Sequence, residues 1–136
     1  SLVKAVNGLL PKLKNAENAS LVFFSTVAAK VGMPFHTSVA AAKGAIEGFA
    51  KSLAAEYAPS LRVNVIAPSL TDTQLAEKLL NKEEKKKKMA ERHPLKRVGT
   101  PEDIAQMTAF LMSDKSSWMT GQILGVDGGL SNLNLS

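Results

Sequence analysis

The chain has 136 residues, of which 45% are hydrophobic, no cysteine, and a net charge of +5 from 17 Lys and Arg against 12 Asp and Glu. That size and apolar content predict one domain with a real core and exclude a disordered chain, while the missing cysteines exclude a disulfide framework and thiolate chemistry and fit a reducing cytoplasm. No run of about 18 apolar residues and no basic, then apolar, leader is present, so neither a membrane span nor a signal peptide is expected.

The elements follow in chain order. Leu2, Val6, Leu9, Leu10 and Leu13 recur at helical spacing and predict an amphipathic helix over 2–14. Gly8 weakens it, Pro11 should kink or shorten it, and no capping signal precedes it, so the chain is expected to start mid-fold. A polar turn, Asn15 to Ser20, leads to Leu21-Val22-Phe23-Phe24-Ser25-Thr26, an apolar run suited to a strand buried on both faces and ending in two hydroxyls. After a loop broken by Gly32 and Pro34, the Ala-rich stretch from Thr37 to Tyr57 carries Ile46, Phe49, Leu53 and Tyr57 at steps of three or four. This predicts a long helix capped by Thr37 or Ser38 and ended before Pro59.

A second strand is expected at 61–66, then a hydroxyl-rich loop from Pro68 to Thr73 with Thr71 or Asp72 as a helix cap. Two short helical pieces are expected at 72–80 and 82–92, broken by His93-Pro94. Thr100-Pro101-Glu102-Asp103 is a strong helix start, with a Thr cap, Pro at the first helical position and acid in the first turn. Ile104, Met107 and Leu111 mark its buried face. A third strand at 123–126 ends in the turn Asp127-Gly128-Gly129, and Ser131–Ser136 is expected to be a loose tail. Alternating helix and strand predicts an α/β fold, with three parallel strands, flanking helices and right-handed crossovers, as a single domain over 1–136. Open sheets of this kind bind ligands at the C-terminal strand edge.

Three stretches carry a family resemblance. Thr26 with Lys43 and Leu53-Ala54-Ala55-Glu56, then Arg62-Val63-Asn64-Val65-Ile66-Ala67-Pro68, then Thr120 to Gly129, resemble the C-terminal half of the short-chain dehydrogenase/reductase family in order and spacing. The resemblance implies a partial Rossmann-like, doubly wound unit holding the last three strands of a seven-stranded sheet. It implies an NAD(P)-dependent oxidoreductase acting on a carbonyl/alcohol pair. The family's Gly-x-x-x-Gly-x-Gly turn, whose amides cradle the pyrophosphate, is not in this sequence.

Carried over residue by residue, Thr26 takes the place of the family's substrate-steadying Ser, and Lys43 that of the Lys that holds the nicotinamide ribose and lowers the pKa of a catalytic Tyr. That Tyr falls on Val39, four residues before Lys43, and valine cannot act as a general acid or base. Tyr57 lies eighteen positions further along the helix, roughly 27 Å away at 1.5 Å per residue. Thr26 and Lys43 are therefore vestigial catalytic residues. Pro68, Thr71 and Thr73, with Lys43, fall where the family contacts its cofactor, although Ser69 stands where Gly is usual. The alternatives are a strand-end Thr favoured by its β-branch, a solvated Lys and a capping loop. His36 is a further candidate acid, weaker than a simple loop histidine.

Lys82-Glu83-Glu84-Lys85-Lys86-Lys87-Lys88 is a small basic patch without interleaved aromatics, which reads as a solvated lid rather than a nucleic-acid site. Two histidines, at 36 and 93, without close carboxylate spacing do not make a metal site. The expectations are thus a reductase-derived chain inactive as it stands or, alternatively, a non-catalytic binding or oligomerisation module; a basic nucleic-acid module is the third reading. A homo-oligomer, dimer or tetramer, is expected from the apolar edge at Leu21–Phe24 and from the small residues Ala40, Ala41 and Gly44.

Overall fold

The structure is a computed structural model that describes residues 1–134. Its sheet has three parallel strands in the order β1 (Ala19–Phe24), β2 (Leu61–Pro68), β3 (Ile123–Val126), with Phe23 opposite Val65 and Val65 opposite Ile123. Helices α1 (Leu2–Lys14), α2 (Thr37–Tyr57), α3 (Glu77–Leu80), α4 (Glu83–Glu91) and α5 (Pro101–Met112) fill the connections. The expected α/β unit of three parallel strands with flanking helices is what forms.

Alternation along β2 divides the two layers. Leu61, Val63 and Val65, at most 1% exposed, point into a core with Val6, Leu10, Phe23, Ala50, Leu53 and Ala54 from α1, β1 and α2. Each such buried aliphatic side chain contributes roughly 1.5–3 kcal/mol. The even positions Arg62, Asn64 and Ile66 face the α5 side, where Arg62 donates to the carbonyls of Leu111, Ser113 and Ser116 at the helix's C-terminal end. Leu111 O is one of the carbonyls a helix leaves without an intrahelical partner, and Ser113 and Ser116 lie in the cap and 3-10 turn that follow. The strand buried on both faces is therefore β2. β1 lies at the edge of this sheet and is only half-buried at Ser20, Leu21 and Val22.

Several boundaries differ from the sequence expectation. α1 is capped after all, by Ser1, whose hydroxyl accepts from Lys4 N, and it runs through Pro11 to Lys14 because a proline near a helix end forgoes only one bond. Its buried stripe narrows to Val6 and Leu10, leaving Leu2 and Leu9 exposed. β1 begins at Ala19 and ends at Phe24, since Thr26 leaves the sheet to cap the short 3-10 turn Val27–Ala29. α2 takes His36 as its N-cap without a side-chain bond, in place of Thr37 or Ser38. β2 extends two residues further, to Pro68.

The helix after the hydroxyl-rich loop is capped by Thr73, not Thr71 or Asp72. α5 matches its start signal fully: Thr100 and Asp103 form a reciprocal capping box with Pro101 in the first turn. Of the tail, Ser131 N donates to Asp127 and Leu133 N to Gly129 O, so that part is a turned segment; Leu135 and Ser136 lie outside the described residues.

Candidate functional site

Three segments meet at the C-terminal edge of the sheet. The first is the turn after β1. Ser25 N continues the ladder to Ile66 O at 2.8 Å, and Thr26 then breaks away in extended conformation. Its Oγ1 accepts from Ala28 N at 3.3 Å, which leaves its own proton free to donate. The second is the loop after β2, Ser69 to Thr73. The third is the segment after α4, where His93 is buried and 4% exposed.

Together they enclose a cavity of about 560 Å3. Thr26, His36, Ser69, Thr71, Thr73, Arg92 and His93 give it polar points, and Val27, Met33, Leu70, Met89 and Leu130 make most of its wall apolar. A second hollow, of about 630 Å3, lies between the same loop and α5, with Phe24, Ile104 and Thr108 on its walls. Pro68, Thr71 and Thr73 line both hollows.

The loop is held from several sides. Thr71 Oγ1 donates to Ser69 O at 3.1 Å, and Gly99 N and O bond Leu70 O and Asp72 N, both at 2.9 Å. Gly99 permits this approach: a Cβ there would lie 3.1 Å from Thr71 Oγ1. Asp72 accepts from Lys86 of α4 at 2.6 Å, and this hydrogen bond, then the carboxylate's charge, raises the Lys86 pKa. α4 itself buries no residue, so its lysine-rich run is solvated.

The predicted site residues separate into two groups. Thr26, Pro68, Thr71 and Thr73 share the first cavity, and His36 joins them. Lys43 and Val39 do not line it. Lys43 Nζ instead donates to Phe24 O at 3.0 Å, holding the end of β1, and Val39 is 44% exposed. One arrangement escaped the sequence reading. Ser69 Oγ lies 2.8 Å from His93 Nε2, and His93 Nδ1 lies 2.9 Å from Met89 O. The available signal was Ser69 at a glycine position, but a spacing of 24 residues gave no reason to pair it with His93. Ser25 Oγ also donates to Glu47 on α2 at 2.5 Å, a second hydroxyl tied down at the strand end. Among the described residues, no group of three or more His, Cys, Asp or Glu is placed to hold a metal ion.

The nicotinamide cofactor implied by the resemblance can be tested against these groups. Its nicotinamide and ribose end would be held by the hydroxyls of Thr71 and Thr73 and by the ammonium of Lys43, which sits at the strand end outside the cavity.

Residues 1–131 match the family model described as enoyl-(acyl carrier protein) reductase. The chain is 41% identical over 123 residues to the 3-oxoacyl-[acyl-carrier-protein] reductase FabG of Thermotoga maritima, covering 90% of this chain and 49% of that protein. Its fold is similar to ligand-free aldohexose dehydrogenase of Thermoplasma acidophilum, with a TM-score of 0.90 at 33% identity over 97% of this chain and 55% of that one. It is also similar to a short chain oxidoreductase of Pseudomonas aeruginosa, solved with NADPH and described as containing an atypical catalytic center (TM-score 0.87, 28% identity, 95% and 52% covered). The chain spans about half the length of the curated relatives it matches.

Proposed function

Because the chain belongs to the short-chain dehydrogenase/reductase family, we propose that it forms the substrate-facing part of an NAD(P)-dependent oxidoreductase for a carbonyl/alcohol pair, and that on its own it does not turn over. The observation that carries the second clause is Val39. It occupies the family's tyrosine place, has no titratable group, and is exposed outside the cavity. The Pseudomonas relative supports the first clause, since NADPH binding is there described together with an atypical catalytic center.

In this reading Lys43, Pro68, Thr71 and Thr73 hold the nicotinamide end of the cofactor, which supplies the hydride when bound. Thr26 offers its free proton to a substrate oxygen in the first cavity, whose apolar walls suit an aliphatic or aromatic carbonyl compound. The protein works in the cytoplasm, as a chain without cysteines can. Among the described residues no helix is long and apolar enough to cross a membrane.

The test is a spectrophotometric assay of the purified chain with NADH and NADPH against aldehydes, ketones and 3-oxoacyl esters. No cofactor consumption is expected. Turnover that disappears in Lys43→Ala would refute the inactivity. A second reading, a non-catalytic oligomerisation module, draws on α2: Gly44 has nothing within 4 Å of where its Cβ would be, so that small-residue face is open to another helix.

A further inference from the structure

We propose that Ser69 and His93 are a nucleophile–base pair that transfers acyl groups from small apolar esters or thioesters, an activity that needs no nicotinamide cofactor. The hydrogen-bond directions are fixed by chemistry. The carbonyl of Met89 can only accept, so His93 Nδ1, 2.9 Å away, carries the ring proton. In the neutral ring Nε2 then presents its lone pair to Ser69, 2.8 Å away, and the serine hydroxyl donates. A hydroxyl donating to an imidazole whose other nitrogen is pinned is the arrangement that activates a serine.

The ring is held in place. His93 is 4% exposed, and Gly128 lies in van der Waals reach of it, a Cβ there falling 3.4 Å from the histidine Cβ and 3.6 Å from Cδ2. Ser69 and His93 both line the 560 Å3 cavity, so an acyl chain lying on Met33, Met89 and Leu130 can reach the hydroxyl.

The reaction balances without an external oxidant or reductant. Ser69 Oγ attacks the carbonyl carbon while its proton passes to His93 Nε2, and the carbonyl π pair moves onto oxygen. As that pair returns, the bond to the alkoxide or thiolate breaks, and the leaving group takes the proton from Nε2. Water then attacks the acyl-serine, giving one proton to Nε2; the proton returns to Ser69 Oγ as the carboxylic acid departs.

The experiment uses p-nitrophenyl butyrate and the 136-residue chain with no cofactor added. p-Nitrophenolate release is expected, with a butyryl group found on Ser69 by peptide mass spectrometry. Ser69→Ala should fall to the buffer rate. His93→Gln should lose roughly 100-fold or more, the usual share of a general base. Should His93→Gln unfold, Ser69→Cys supplies a second test, because the chain has no other cysteine. A thiol beside His93 should react with iodoacetamide faster than glutathione at the same pH. No release above buffer by the folded chain, acylation only at a lysine with Ser69→Ala unchanged, or a Ser69→Cys thiol no faster than glutathione each overturns the proposal.

Discussion

Removing the Asn64 side chain should cost this fold more than removing its volume. Asn64 is fully buried (0% exposed) on β2. Its Nδ2 donates to Met119 O at 3.0 Å and its Oδ1 accepts from Gln122 N at 3.1 Å, fastening the segment that leads into β3. Asn64→Ala leaves a carbonyl and an amide without these partners. Met119 is half-buried and Gln122 exposed, so each lost hydrogen bond costs about 0.5–1.5 kcal/mol and the pair about 1–3 kcal/mol before any cavity term. A chain of 136 residues has a total stability on the order of 7–20 kcal/mol. The loss should lower the melting temperature by roughly 3–15 °C and shift the urea midpoint at unchanged slope, both read by far-UV circular dichroism. Asn64→Leu restores the volume but not the bonds and should be equally destabilised. If leucine recovers wild-type stability where alanine does not, the cost is packing and the hydrogen-bond reasoning fails; if neither variant moves the midpoint, the clamp contributes nothing.

Other outcomes follow from particular contacts. Arg97 holds Asp103 through two bonds, of 2.6 and 2.8 Å, and with the Thr100 amide keeps its carboxyl well below the usual carboxylate range. A depressed folded pKa gives stability that is complete above the ordinary Asp value of about 3.9 and is lost as pH falls through the folded one, so Asp103→Asn should flatten the acid limb of a pH–stability curve. Gly129, at φ +90° and with a virtual Cβ 3.0 Å from Pro94 Cγ, should not tolerate alanine; Gly129→Ala should lower the melting temperature measurably, and an unchanged melt would contradict the strain argument. Binding to duplex DNA should be weak and gone by about 200 mM salt, as a few lysine–phosphate contacts dictate, measured by fluorescence anisotropy. Sedimentation equilibrium at micromolar concentration should show a dimer or larger species; a well-folded monomer would count against the open faces of β1 and α2 as interfaces.

The elements were legible in the sequence where local chemistry decides them. Thr100-Pro101-Glu102-Asp103 became the capping box of α5 because all its partners lie within four residues. Asp127-Gly128-Gly129 became a turn with both glycines at positive φ. Burial was less legible. The apolar run Leu21–Phe24 reads as doubly buried, yet β1 lies at the sheet edge, and Arg62-Val63-Asn64, with two polar residues, forms the interior strand. Those polar side chains are matched by α5 carbonyls and by the Met119–Gln122 segment, partners some 50 residues away that no local pattern announces. The site divides the same way. Thr26, Thr71 and Thr73, named from the family resemblance, line one cavity, whereas Ser69 with His93 depends on α4 bringing a distant histidine under the loop.

The same contacts explain why the two halves of the site stand on different footing. The loop from Ser69 to Thr73 is bonded to β3 through Val126 O, to Gly99, to Lys86 and to His93, all within this chain. Its geometry is therefore set before any cofactor or substrate arrives, which is the condition for a group to stabilise charge without reorganising. Lys43 has one such partner, Phe24 O, at the end of a strand whose outer side makes no strand pair among the described residues. Whatever fixes that side of β1 also fixes the distance from the ammonium to the cavity. A substitution in the loop should then act on binding directly, while one in β1 should act through Lys43. Ser69–His93, lying wholly on the anchored side, is the pair in this site whose chemistry does not wait on the edge of the sheet.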